Sequence, residues 1–245
     1  TMNSLGGIVN IPTQKKISIP DSLRVLYAGY ISLGKNATVT YPETMDYIQM
    51  GGFDAGTIIM PETTKYLGNF AFESMGWMKT VTLPAEIEHL GVGVFQNNEF
   101  LVNVTFREGL QTISRRMFLN CPKLKSVTIP QSMINIEDEA FSMCSKMSTV
   151  VFSDQSVKTI GVRAFAECTS IKKLVLQQGL ESIGAQAFIG CKKLASVTIP
   201  PSVINIGDEA LEGCANKISV TVADGSYAQQ WANEHGYTVR VANSN

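Results

Sequence analysis

The feature of this sequence that most limits its fold is a residue pattern that recurs every 23 or 24 residues. The segment from Ile183 to Pro200 shows it almost complete, as Ile-Gly-x-x-Ala-Phe-x-x-Cys-x-x-Leu-x-x-Val-x-Ile-Pro. Units of the same kind begin at Leu67, Leu90, Ile113, Ile136, Ile160, Ile183 and Ile206. Because residue type and spacing recur together in seven units, the pattern predicts a repeat protein.

Each unit contains a short run in which apolar and polar residues alternate, such as Val127-Thr128-Ile129. Alternation with β-branched residues is typical of a strand with one buried face. One such strand cannot bury its apolar face alone, but copies stacked about 4.8 Å apart form a parallel sheet over a continuous core. The sequence therefore predicts a solenoid with about ten strands between Ile17 and Val222.

The other half of each unit carries a phenylalanine in register. Seven of the eleven phenylalanines occupy this position, at Phe53, Phe72, Phe95, Phe118, Phe141, Phe165 and Phe188. We interpret them as a spine of rings in offset contact inside the solenoid. Several methionines, at Met75, Met78, Met117, Met133 and Met147, are assigned to the same core as flexible filling residues.

The two ends of the chain depart from the regular pattern. Irregular repeats occupy residues 17–66, before the regular repeats of residues 67–222. In residues 223–245, Ser226 to Gln229 fits a capping box and Gly236 fits a helix stop. We expect a helix with Tyr227, Ala228, Trp231 and Ala232 on one apolar face, covering the last repeat, and a final strand at Tyr237–Val241. Residues 1–245 are interpreted as a single domain.

Composition narrows the class of protein further. With 44% hydrophobic and 17% charged residues, the chain has enough apolar material for a core. A net charge of −1 gives no reason to expect binding to nucleic acid, and no apolar run is long enough for a membrane helix. Residues 1–10 lack the features of a signal peptide and begin with Thr1, so we expect any such leader to have been removed.

The motif from Ile183 to Pro200 resembles the BspA-like class of bacterial leucine-rich repeats, over nearly the whole chain. The resemblance implies an α/β leucine-rich-repeat fold: a right-handed curved solenoid with a parallel sheet on one face and turns, 3₁₀ or helical segments on the other. It also implies secretion or cell-surface display, adhesion to host proteins or other cells, and no catalytic residues. The departures are Met75 and Asn98 in place of Cys, and Arg107, Ser153 and Gln177 in place of Pro.

The residues that could support catalysis or metal binding are poorly placed for either. The five cysteines share one column at Cys121, Cys144, Cys168, Cys191 and Cys214. Their spacing is unlike that of zinc sites, and buried free thiols are favoured, although stacked neighbours lie within reach of a disulfide. His89 and His235 fall near opposite ends of the stack, so neither a metal cluster nor a catalytic triad is expected. We expect no cofactor, no metal and no enzymatic activity.

The outward positions of the strands form the most informative surface. Three outward columns contain Lys16, Arg107 and Lys173 but no acidic residue, and are otherwise rich in Thr and Ser. The predicted partner-binding residues on this strand face are Thr82, Asn103, Thr105, Arg107, Ser126, Thr128 and Lys173. The alternative is that threonine simply suits exposed strand positions.

These observations favour a non-catalytic binding module that is secreted or held at a cell surface. We expect the strand face to dock an extracellular protein of a host or a cell surface. A structural spacer within a larger surface protein and a glycan-binding module remain as alternatives, although no exposed aromatic platform for sugars is apparent. The chain is expected to be a monomer, without nucleic-acid binding or membrane insertion.

Overall fold

The computed structural model describes residues 4–5, 9–10, 16–19, 25–28, 31–41, 47–49, 53–60, 62–153 and 155–242. The strands before the regular repeats are β1 (Ser4–Leu5), β2 (Val9–Asn10), β3 (Lys16–Ser18), β4 (Val25–Ala28), β5 (Ile31–Thr40), β6 (Tyr47–Gln49) and β7 (Phe53–Ile59). The regular repeats contribute β8 (Tyr66–Leu67), β9 (Thr80–Thr82), β10 (His89–Leu90), β11 (Asn103–Thr105), β12 (Thr112–Ile113), β13 (Ser126–Ile129), β14 (Asn135–Ile136), β15 (Thr149–Phe152), β16 (Thr159–Ile160), β17 (Lys173–Val175), β18 (Ser182–Ile183), β19 (Ser196–Thr198), β20 (Asn205–Ile206) and β21 (Ser219–Val222). The chain then forms α1 (Tyr227–Glu234) and β22 (Thr238–Val241).

The first face of the solenoid carries the predicted sheet. Strands β9, β11, β13 and β15 pair in parallel, and β17, β19, β21 and β22 form a second group on the same pattern. Within β13, Val127 and Ile129 are buried while Ser126 and Thr128 are exposed. The leucine-rich-repeat solenoid predicted from the sequence is therefore confirmed. The further prediction that residues 1–245 make a single domain stays a prediction.

A second parallel sheet lies on the other face, where turns, 3₁₀ or helical segments were expected. Its strands in the regular repeats are two residues long, and the first apolar residue of each repeat lies in them. Ile113, for example, pairs with Ile136, which pairs in turn with Ile160. The sheet is divided between β10 and β12, which are not paired with each other.

The turn that carries the phenylalanine uses left-handed backbone conformations. Among the described residues, eleven other than glycine have positive φ, from 54° to 63°. Each lies two residues before or after the phenylalanine, or Leu211, of its repeat. This conformation costs a residue with a side chain about 1–2 kcal/mol. In ten of the eleven the backbone N–H donates to a carbonyl of the next repeat, as from Met143 to Ala166 at 2.8 Å. These hydrogen bonds offset the strain and join the turns.

The core contains the predicted spine of rings. From Phe72 to Phe188 the described rings follow one another with centroids 5.2–5.5 Å apart and planes within 13° of parallel. The five predicted core methionines are fully buried. The solenoid thus has a continuous, close-packed interior from repeat to repeat.

A polar column runs beside the rings. Each cysteine thiol donates to the carbonyl of the phenylalanine one repeat earlier, as from Cys144 to Phe118 at 3.3 Å. Asn98 replaces the cysteine in its repeat. Its amide donates to the carbonyls of Phe72 and Phe95 at 2.8 and 2.7 Å, and its oxygen accepts from the Met75 N–H at 2.9 Å. The departure noted in the sequence therefore satisfies three buried backbone groups.

The C-terminal helix covers the end of the stack as predicted. Ser226 Oγ accepts from the Gln229 N–H at 3.2 Å, and Gly236 follows the helix with a φ of 70°. Ala228, Trp231 and Ala232 are buried against the last repeat. The assignment of Tyr227 to the same apolar face is wrong: it is 41% exposed. It lies about 40° around the helix from Trp231, at the edge of the buried stripe, which runs from Trp231 to Ala232.

Replacement of Met143 by glycine tests the strain in the turns. Met143 has a φ of 63° and is 49% exposed, and Gly190 and Gly213 already occupy its position in later repeats. We expect Met143→Gly to raise the free energy of unfolding by about 0.5–1 kcal/mol, because glycine adopts this conformation without steric cost. Urea denaturation measures the change. Lys146→Gly, at an exposed residue that does not have positive φ, is the control and is expected to be destabilising; a loss in both variants would contradict the prediction.

Candidate functional site

Five of the seven predicted binding residues lie together on the first face. Thr82 and Thr105 are opposite each other on β9 and β11, and Asn103 is opposite Ser126 on β13. Thr128 continues the surface on β13, and all five are exposed. Because their strands are adjacent and in register, their hydroxyl and amide groups form one surface, which we call the threonine face.

The two basic residues predicted to bind a partner, Arg107 and Lys173, lie outside the three strands of the threonine face. The Arg107 guanidinium lies 2.6 Å from the Glu62 carboxylate, just beyond the strand ends, so its charge is already paired. Lys173 is exposed but lies on β17, in the second group of strands. Lys173 therefore lies on the same strand as Val175, beyond β15, at the border of the threonine face and not within it.

Apolar residues border the threonine face and were treated in the sequence only as gaps in a threonine column. Val151 lies opposite Thr128 and is 46% exposed. Val175, the corresponding residue of β17, is 41% exposed, and Ile59 on β7 is 50% exposed. The signal that could have identified them is an apolar residue at an outward strand position. The face is thus a neutral hydroxyl surface with apolar borders.

A cleft lies on the opposite sheet, at the division between β10 and β12. It has a volume of about 520 Å³ and is lined by residues that include Glu88, His89 and Glu137. Glu88 is engaged by Lys65 at 2.7 Å and by the Tyr66 hydroxyl at 3.0 Å. Those two partners hold the pKa of Glu88 below its usual value. Glu137 accepts from the Arg115 N–H at 2.8 Å. Both carboxylates are therefore committed to contacts within the protein.

The buried cysteines of the column are expected to be unreactive. All five cysteines are free, and four are fully buried. Burial raises the pKa of Cys121, Cys168 and Cys214 to about 12, and raises those of Cys144 and Cys191 as well. The reactive thiolate is therefore scarce at neutral pH.

The part of the chain that the structure describes has no metal-binding cluster: no group of three or more His, Cys, Asp or Glu side chains there is arranged to hold a metal ion. No helix in the same part has the length and apolar character needed to cross a bilayer.

A match to a known family of repeats identifies the family of this chain. The BspA type leucine-rich repeat region matches this chain in six copies, over residues 30–148 and 112–229. The chain belongs to the BspA-type leucine-rich-repeat family. A comparison with curated proteins gives no match.

Solved structures support the fold of this BspA-type chain. A leucine-rich repeat protein from Bacteroides ovatus superposes with a TM-score of 0.70 at 24% identity, over 94% of this chain and 66% of that one. A leucine rich cell surface protein from Faecalibacterium prausnitzii gives 0.53 at 17% identity, over 98% and 92%. A leucine-rich repeat protein from Eubacterium ventriosum gives 0.53 at 19%, over 82% and 59%. The BspA-type chain therefore spans about two thirds of the first of these structures and 59% of the third.

Alkylation of the native protein tests the state of the cysteine column. At pH 8 we expect the fully buried thiols to react far more slowly with iodoacetamide than a free cysteine does, because their raised pKa and burial keep thiolate from the reagent. Cys214, which is partly exposed, should react first. Mass spectrometry counts the modified thiols, and all five should react after denaturation.

Cys214→Ser provides the control for that experiment, since it should remove the fastest phase. Rapid modification of Cys144 or Cys168 in the folded protein would show that the column is open to solvent.

Proposed function

We propose that this protein is a non-catalytic binding module, displayed at a cell surface or secreted, whose threonine face docks an extracellular protein. The observation that carries the proposal is the threonine face itself. Hydroxyl and amide groups on three adjacent strands can donate and accept hydrogen bonds without the desolvation cost of a charge.

The borders of the face support the same proposal. A protein interface commonly combines an apolar contact area with a polar surround. Ile59 at one end and Val151 with Val175 at the other supply exposed apolar surface beside the hydroxyl groups. The pairing of Arg107 with Glu62 leaves the face close to neutral, which favours a partner recognised by shape and hydrogen bonds over one recognised by strong charge.

The proposed location at the cell surface rests on the description of a protein with a similar fold. The Faecalibacterium prausnitzii protein is described as a leucine rich cell surface protein. Its fold matches 98% of the present chain. We extend that location to this protein, with a protein of a host or another cell as its partner, and with the module acting as a monomer. Lys173, on the same strand as Val175, lies at the border of the proposed interface.

A charge placed at the centre of the threonine face tests the proposal. Thr105→Lys should weaken binding to the partner about tenfold or more, because a lysine there must be desolvated without an acidic counterpart. The side chain is exposed, so the fold should be retained. Thr221→Lys places the same charge at the corresponding position of β21, farther from the face, and should leave binding nearly unchanged.

Binding is measured on a panel of immobilised extracellular-matrix proteins by surface plasmon resonance. Equal affinity of wild type and Thr105→Lys for a confirmed partner would exclude the threonine face. Arg107 is better examined as Arg107→Gln in combination with Glu62→Gln, because Arg107→Glu would bring two carboxylates together.

A further inference from the structure

A positively charged strip runs along one edge of the solenoid, beside the sheet of the first face. In each regular repeat, five residues link the methionine, asparagine or cysteine of the polar column to the strand that follows. These segments are residues 75–79, 98–102, 121–125, 144–148, 168–172, 191–195 and 214–218. They hold 35 of the 245 residues, which is one seventh of the chain.

Eight of the chain's 20 basic residues lie in these segments, against one of its 21 acidic residues, Glu99. The first four segments contain Lys79, Lys123, Lys125 and Lys146. The last three contain Lys172, Lys192, Lys193 and Lys217. The strip therefore carries a charge of +7 within a chain whose net charge is −1. We call it the lysine edge.

Stacking of the repeats aligns corresponding positions of the strip, so that Lys79, Lys125 and Lys172 recur at every second repeat of one row. The Lys79 carbonyl accepts from the Val102 N–H at 2.8 Å, the Val102 carbonyl from Lys125 at 3.2 Å, and the Lys125 carbonyl from Ser148 at 2.9 Å. Lys172 is joined to Ala195 in the same way at 3.0 Å. At about 4.8 Å per repeat, the lysine edge is about 30 Å long.

The charges of the lysine edge are available to a ligand. All eight side chains are exposed. The four ion pairs between described residues are made by other cations: Lys65, Arg107, Arg116 and Lys158. Glu73, which precedes the first segment, accepts hydrogen bonds from Gln96 and Asn97 instead. Adjacent lysines lie within about one Debye length of each other, near 8 Å at physiological salt, so their potentials add.

The start of the strip adds an aromatic surface that the sequence analysis did not anticipate. Trp77 is 36% exposed, and its ring stacks on that of Phe100 with centroids 6.0 Å apart. The Lys123 ammonium lies 3.8 Å from the centre of the Phe100 ring, on the next repeat. An apolar ring thus stands in line with a row of ammonium groups, a combination that suits a sugar ring followed by acidic substituents.

We infer that the lysine edge binds a linear anionic polysaccharide, whose sulfate or carboxylate groups contact the row of ammonium groups. The partner must be extended, because the charges follow one line about 30 Å long at a spacing set by the repeat. A nucleic acid is disfavoured because the strip contains no arginine for bidentate phosphate contacts, and aromatic rings for base stacking are confined to one end. This surface is distinct from the threonine face, so either could bind without the other.

The test measures binding of a heparin oligosaccharide by isothermal titration calorimetry at two salt concentrations. Replacing Lys125, Lys172 and Lys193 with Gln should weaken binding about tenfold or more and reduce the slope of log K against log salt by roughly one per lost contact. The matched control replaces Arg115, Arg163 and Arg240, which are exposed and outside the strip, with Gln. It changes the net charge equally and should leave affinity within about twofold.

Three outcomes would overturn the inference. They are failure of the wild type to bind heparin, an equal loss of affinity in the two triple variants, and binding of single-stranded DNA of matched charge as tightly as heparin. Thr105→Lys adds a positive charge near the lysine edge and should not weaken heparin binding, although it weakens binding of the protein partner, which separates this result from the test of the threonine face. Neutral dextran should not bind.

Discussion

The structure depends on how closely the backbone of each repeat can approach the next. Hydrogen bonds join the repeats in both sheets and in the phenylalanine turn, and at Gly184 the approach is so close that a Cβ atom would lie 2.5 Å from the Val162 nitrogen. This spacing is what brings the rings of the spine to 5.2–5.5 Å and what permits left-handed turns to be tolerated. Backbone contact between repeats therefore comes first, and side-chain packing follows from it.

The same spacing determines what the surface can do. A residue type that recurs at one position of the repeat becomes a row, whether it is a threonine on a strand or a lysine before it. In the proposed function, binding is carried by rows of side chains, while Glu88 and Glu137 in the cleft already have partners within the protein. An interruption in a row, such as Val151 after Thr128, changes the chemistry of the surface at a defined distance along the stack.

Much of this could be predicted from the sequence because the repeat links residue type to position. The strands of the first face, the ring spine, the buried cysteines and the capping helix all follow from periodicity and local signals. The second sheet was missed because two-residue strands leave too short a pattern to recognise. The contact between Arg107 and Glu62 was missed because the two residues lie 45 positions apart in sequence. Tyr227 was misplaced because helical spacing alone did not show how far the buried stripe extends.

The lysine edge shows why net charge is a poor guide for a solenoid. A total of −1 argues against an anionic partner only if charges are mixed over the surface, and here a repeat that favours lysine before its strand separates them. Lys125 directly precedes Ser126, so the lysine edge runs along the border of the threonine face. A polysaccharide on one and a protein on the other would therefore lie side by side. Binding of an anionic chain would also neutralise the edge, which would favour a partner protein whose own surface is basic near that border.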